Sequence, residues 1–83
     1  MRKLVLADQA KADLAGLDRA TRLRIAAALQ RLVLTNAGNI KKLEGIDPPE
    51  YRLRVGDWRV RFSYPDSGTV RINRVLNRRE AYR

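Results

Sequence analysis

The stretch that decides the fold is Tyr51-Arg52-Leu53-Arg54-Val55-Gly56-Asp57-Trp58-Arg59-Val60-Arg61-Phe62. Apolar and basic residues alternate on either side of Gly56-Asp57, the pattern of a half-buried β-hairpin. A two-residue loop with Gly in its first place suits a type II′ turn, whose twist matches that of the strands it joins. The turn then fixes the register: Val55 faces Trp58, Leu53 faces Val60 and Tyr51 faces Phe62. On the other side Arg54 meets Arg59 and Arg52 meets Arg61. Like charges directly opposite one another on a sheet repel. A polyanion lying on that side would turn the repulsion into attraction. The hairpin therefore predicts an apolar underside and a phosphate-binding upper side. It also predicts that trimming Arg59 alone leaves stability unchanged or raised.

Working outward, Pro65-Asp66-Ser67-Gly68 reads as a second turn and Thr69 to Leu76 as a third strand. The alternation of Val70 and Ile72 slips by one residue to Val75, which predicts a β-bulge near Asn73-Arg74. Arg71 falls on the basic side. Upstream, Thr35 to Pro49 reads as a loop rich in Asn, Gly and Pro that holds Lys41 and Lys42. Before it, Asp18 can cap a helix from Arg19 to about Leu34, with Ile25, Ala28, Leu29, Leu32 and Val33 on one stripe. Asp8 can cap a shorter helix to about Leu17, and Gly16 marks the break between the two. Lys3 to Leu6 is a short first strand. The expected fold is α+β: a short N-terminal strand, a helical hairpin, then a three-stranded antiparallel meander, with the helices on one sheet face. Trp58, Phe62, Tyr51 and Tyr64 lie on the helix-facing side and read as core.

Composition narrows the function. Eighty-three residues make one domain, 1–83, with no room for a large cofactor pocket. Lys and Arg number 18 against 9 acidic residues, a net charge of +9 that favours nucleic acid or an acidic protein as partner. The charge lies on strands as much as on helices, which fits a membrane anchor poorly. Cysteine and histidine are both absent, removing thiolate chemistry, the commonest metal ligands and the commonest general base. The apolar run Leu4 to Ala7 is cut short by Asp8, too short for a signal peptide, so a cytoplasmic location is expected.

The order of elements, the stretch KKLEG at 41–45, the hairpin YRLRVGDWRVRF and the ending VLNRREAY resemble the RelE/ParE toxin superfamily of toxin–antitoxin systems. The resemblance covers nearly the whole chain. It implies a RelE-like toxin that cuts mRNA on the ribosome and so inhibits translation. The alternatives are a ParE-like poison of DNA gyrase and a nucleic-acid-binding module without catalysis. The resemblance implies an endoribonuclease in which the RNA 2′-hydroxyl attacks the adjacent phosphate, with no metal and no cofactor. Its partners would be a cognate antitoxin, the ribosome and mRNA.

The same resemblance assigns residues. Arg52 and Arg54 stand where RelE-like toxins place basic residues on the first hairpin strand, and Arg59 matches the basic residue on the second. Arg78 matches the arginine of the C-terminal pair and Tyr82 the tyrosine that follows it, whereas Asn77 stands where many relatives carry His. These five, Arg52, Arg54, Arg59, Arg78 and Tyr82, are the expected catalytic set. Arg61, Arg71, Arg79, Lys41 and Lys42 are the expected RNA contacts. Arginine suits phosphate because its planar fork can hold two oxygens, but it stays protonated and cannot take a proton. That leaves Tyr82 and Glu80 as proton-handling candidates, with Glu80 reading better as an ion-pair partner of Arg78 or Arg79.

Overall fold

Gly56 adopts φ 58° while Asp57 keeps a negative φ, so the positive angle falls on the first central position alone, as type II′ requires. Around this turn β3 (Tyr51–Val55) and β4 (Trp58–Asp66) pair in the register read from sequence, with Arg54 opposite Arg59 and Arg52 opposite Arg61. A side chain at residue 56 would be strained by its φ, and its Cβ would come within 2.8 Å of the Arg24 guanidinium. The computed structural model describes residues 2–81, with side chains through Arg79.

The remaining elements are β1 (Lys3–Leu6), α1 (Asp8–Ala15), α2 (Arg19–Thr35), β2 (Asn39–Lys42), β5 (Thr69–Asn77) and α3 (Arg78–Ala81). The five strands form one sheet in the order β1-β5-β4-β3-β2. The meander is antiparallel, and β1 adds to its far edge parallel to β5, Leu4 beside Val70 and Leu6 beside Ile72. The helices cover the face that carries Leu53, Val60, Phe62, Val70 and Ile72, and they bury Ala10, Ile25, Leu29 and Leu32 against it. Tyr51, Phe62 and Tyr64 close one end of this core with ring centroids 5.3 to 5.6 Å apart. The bulge falls where the apolar slip placed it. Arg61 pairs with Arg74 and Phe62 with Ile72, leaving Asn73 as the extra residue.

Two readings from sequence are corrected. The segment Thr35 to Pro49 is not all loop, because Asn39–Lys42 pairs with β3 as an edge strand. Only Ile40 of its four residues turns inward to any depth, so it has no alternating apolar pattern to announce it. It forms because β3 offers an open edge, and Gly38 lets the chain approach so closely that a Cβ there would lie 2.6 Å from Leu53 Cδ1. The cap of α1 also differs: Ala7 is the N-cap, and Asp8 occupies the first turn, where its charge favours the helix dipole. Asp18 does cap α2 through the Thr21 N–H. At the other end of α2, Asn36 takes the left-handed cap conformation, and its side-chain oxygen accepts from Tyr64 Oη at 2.7 Å and Arg2 Nη1 at 2.9 Å.

Asp13 of α1 completes the sheet where β1 stops. Beyond Ile72 the edge of β5 is bare of β1, and the Asp13 carboxylate accepts from the Val75 N–H and from Arg74 Nε, each at 2.9 Å. Burial by itself would push this carboxyl up, but hydrogen bonds from Arg74, Val75 and Gln9 outweigh it and hold it below the usual range. A carboxyl with a lower pKa folded than unfolded stabilises the fold above its unfolded value and loses that contribution as pH falls through the folded one. We expect Asp13→Asn to cost about 1–3 kcal/mol at neutral pH. The gap between parent and variant should narrow as pH drops below about 4. Urea titrations at pH 7, 5 and 3 check both the size and the sign.

Candidate functional site

The face of the sheet opposite the main core collects the basic residues, as strand alternation requires. Reading across strands, Lys41 of β2 pairs with Arg52, Arg52 with Arg61 and Arg61 with Arg74. The next row runs Asn39, Arg54, Arg59 and Leu76. Lys41 therefore joins the basic face directly, from a strand rather than a loop. Lys42 pairs with Tyr51 and so takes the opposite side of the edge strand. Arg71 sits exposed on β5 between the buried Val70 and Ile72, on the basic side. Arg74 leaves the row for Asp13 of α1.

These arginines are not equally available. Arg54 is exposed, Arg52 and Arg61 are half-buried, and Arg59 is only 4% exposed. The expectation that Arg59 stands out toward a ligand is corrected: its Nη1 folds back to donate to the Gly56 carbonyl at 2.9 Å and the Trp58 carbonyl at 3.0 Å. Leu76 beside it is also buried, and α3 touches β4 and β5 at this end. Arg59 thus holds the turn. Arg61 has a partner that sequence reasoning missed. Glu50, just before β3, accepts from Arg61 Nη2 at 3.2 Å with one carboxylate oxygen and from Asn73 Nδ2 at 3.3 Å with the other. Asn73 Nδ2 also reaches Ser63 Oγ at 3.3 Å. Strand alternation could have found Glu50, because it lies two residues before Arg52 and must share its face. Part of the like-charge repulsion is therefore compensated inside the molecule.

The C-terminal residues meet the turn end of this surface. The Arg78 N–H donates to the Asp57 carbonyl at 2.7 Å, which fastens the start of α3 to the hairpin loop. A polar cleft there is lined by Asp57, Asn77, Arg78 and Arg79. Arg79 is exposed, and its N–H is capped by the Asn77 side chain. Tyr82 and the Glu80 side chain lie outside the described residues. Among the described residues no cluster of carboxylates is arranged to hold a metal ion, and no helix is long and apolar enough to cross a membrane.

Solved structures share this architecture. A chain of the RelB-RelE antitoxin-toxin complex from Methanococcus jannaschii is 27% identical with a TM-score of 0.76, over 94% of each chain. A chain of the archaeal RelE-RelB complex from Pyrococcus horikoshii OT3 is 25% identical with a TM-score of 0.71, over 93% of this chain and 94% of that one. YafQ from E. coli shares the fold alone, at 12% identity and a TM-score of 0.76 over 100% of both chains. No curated protein matches. The fold is that of the small α+β toxins. Residues 4–82 match the family described as the ParE toxin of type II toxin-antitoxin system, parDE, and the chain belongs to it.

The contrast between Arg59 and Arg54 is directly measurable. Arg59→Ala removes the two hydrogen bonds that a buried guanidinium makes to the turn carbonyls and should cost about 1–3 kcal/mol. Arg54→Ala should change stability by no more than about 0.5 kcal/mol. Urea denaturation of the two variants beside the parent reads the difference.

Proposed function

We propose that this toxin is a ribosome-dependent mRNA endonuclease, an enzyme that inhibits translation in the cytoplasm. The observation that carries the reading is the cationic row Lys41–Arg52–Arg61 in register across neighbouring strands, with Arg54 exposed beside it. Neighbouring strands lie about 4.8 Å apart and same-face residues along a strand about 6–7 Å apart, so the row and Arg54 beside it spread cations over more than one phosphate. The row fits an extended single strand better than a compact ligand. In this reading Arg52, Arg54 and Arg78 hold phosphate oxygens and stabilise the charge that grows on them in the transition state. Arg59 supports the loop that positions them. Arg61, Arg71, Arg79 and Lys41 extend the contact surface, with Lys42 at its margin, and Tyr82 takes part in a proton step. The 2′-hydroxyl is the nucleophile, and catalysis rests on in-line positioning and electrostatics.

The partner follows from the two archaeal relatives, which were solved as complexes with their antitoxins. An apolar groove between β1 and α2 is lined by Leu4, Leu6, Leu29, Val33 and Leu34 and rimmed by Arg2, Lys3 and Arg22. Leu4 is 40% and Leu34 54% exposed, which suits apolar anchors of an antitoxin segment with acidic flanks. The second reading, a gyrase poison, is favoured by the description of the matching family.

A primer-extension map of cellular mRNA after induction, run beside a gyrase supercoiling assay, decides between the two. Cuts phased with the reading frame and unaffected supercoiling are expected. Inhibited supercoiling with intact mRNA would overturn the endonuclease reading. Ribosome binding should fall with salt, and Arg52→Ala should flatten the slope of log affinity against log salt by about 1. Leu34→Asp should weaken neutralisation by the antitoxin at least about tenfold, the loss of about 1.4 kcal/mol, while leaving toxicity intact in a growth assay without antitoxin.

A further inference from the structure

We propose that an open pocket at the β1 end of the cationic face is a nucleobase subsite, which holds one unstacked base of the message beside Arg71. The inference rests on the endonuclease reading and concerns a part of the substrate that the arginines do not address. The pocket has a volume of about 340 Å³, and its lining includes Val5, Ala7, Asp8, Pro65, Thr69 and Arg71. Register places it on the same side of the sheet as the arginines. Arg71 of β5 pairs with Val5 of β1 on one side and with Ser63 of β4 on the other. Asn73 Nδ2 donates to Ser63 Oγ and to Glu50, and Glu50 pairs with Arg61. The polar surface therefore runs unbroken from the cationic row to the pocket.

A single strand gripped only by its phosphates leaves the faces of its bases in water. Proteins that bind such strands offer the bases an apolar platform, most often an aromatic ring. Among the described residues the rings are turned away: Tyr51, Trp58, Phe62 and Tyr64 belong to the core under the helices or pack against it. Of the apolar strand residues on the cationic side, Leu76 is buried, which leaves the half-buried Val5 and the exposed Pro65 within reach of a strand. Both line the pocket. Charge decides which part of a nucleotide enters. Asp8 stands where the pocket meets α1 and repels a phosphate, whereas Arg71 attracts one at the sheet side. A nucleotide therefore enters base first, its ring against Val5 and Pro65 and its phosphate toward Arg71. The volume lies at the small end of ligand sites, room for one base. An aliphatic floor of this kind accepts any base, since every base has a face to lay on it.

The test uses programmed ribosomes whose message carries a 2′-deoxy residue at the mapped cut, so that binding is read without cleavage. An abasic residue is walked through the message around the cut, and toxin affinity is measured at each position. At one position the abasic residue should lower the affinity of the parent about five- to tenfold, the low end of what stacking one base is worth. At that same position it should cost Val5→Ser and Pro65→Ser almost nothing, because variant and abasic residue remove the same contact. Pro65→Ser, on an exposed turn, keeps the test valid if Val5→Ser loosens β1. Arg71→Gln should instead weaken binding of every message alike and flatten the slope of log affinity against log salt by about 1. Losses that simply add at every position, or a parent indifferent to the whole walk, overturn the subsite. A parent that leaves an all-ribose message uncut overturns the endonuclease reading and the subsite together. A parent that cuts such a message yet shows no coupling between the abasic walk and these variants removes the subsite alone.

Discussion

The positive φ of Gly56 is the constraint on which the rest of the molecule depends. Because that turn spans two residues, the strands it joins can meet in one register only. A slip by one residue would carry Leu53, Val60 and Phe62 to the solvent side and the arginines into the core. The helices reinforce the choice, since Ile25, Leu29 and Leu32 have a continuous apolar surface to cover in one register and none in the other. Both faces of the hairpin grip the loop as well. The Arg24 guanidinium lies over Gly56 from the helical side, and Arg59 donates to the Gly56 carbonyl from within the sheet.

The second theme is how a small domain tolerates a net charge of +9. Self-repulsion on this scale works against a compact state. The structure spends several of its carboxylates and carbonyls on single arginines. Glu50 answers Arg61, Asp13 answers Arg74, and the carbonyls of Gly56 and Trp58 answer Arg59. Arg54 is exposed at the centre of the same surface. The result is a cationic face whose supporting members are held by the protein while a solvent-facing member stays accessible to a ligand. Preorganisation of this kind is what electrostatic catalysis asks of a site, because donors already in place need no rearrangement when charge develops.

Much of this was legible in the amino-acid order, and the rest was hidden for identifiable reasons. The hairpin, the bulge and the long helix each carry a strong local signal: a Gly-initiated loop, a one-residue slip in apolar spacing, and a capped stripe with Ile25, Leu29 and Leu32 on one side. β2 carries none, because an edge strand of four residues with one inward side chain owes its conformation to the neighbour it pairs with. The burial of Arg59 was equally invisible, since alternation assigns a face but not what covers it. The superfamily resemblance was visible in the basic hairpin and the chain's ending. Glu50 was overlooked because attention fell on the basic positions, although its parity with Arg52 and Arg54 already placed it among them.

The parallel pairing of β1 with β5 has a consequence for how the protein comes into being. Lys3 meets Thr69 and Asp13 meets Val75, so β1 and α1 have no partner in the sheet until β5 has been made. Contacts this distant in sequence form late and slowly. During synthesis β1 and α1 wait with apolar residues such as Leu4 and Leu6 uncovered, and the basic sheet cannot acquire its full width. The toxin fold is thereby completed only after β5 has been made. The interval in which these apolar residues are open is also the interval in which a partner waiting nearby could seize them before the fold closes.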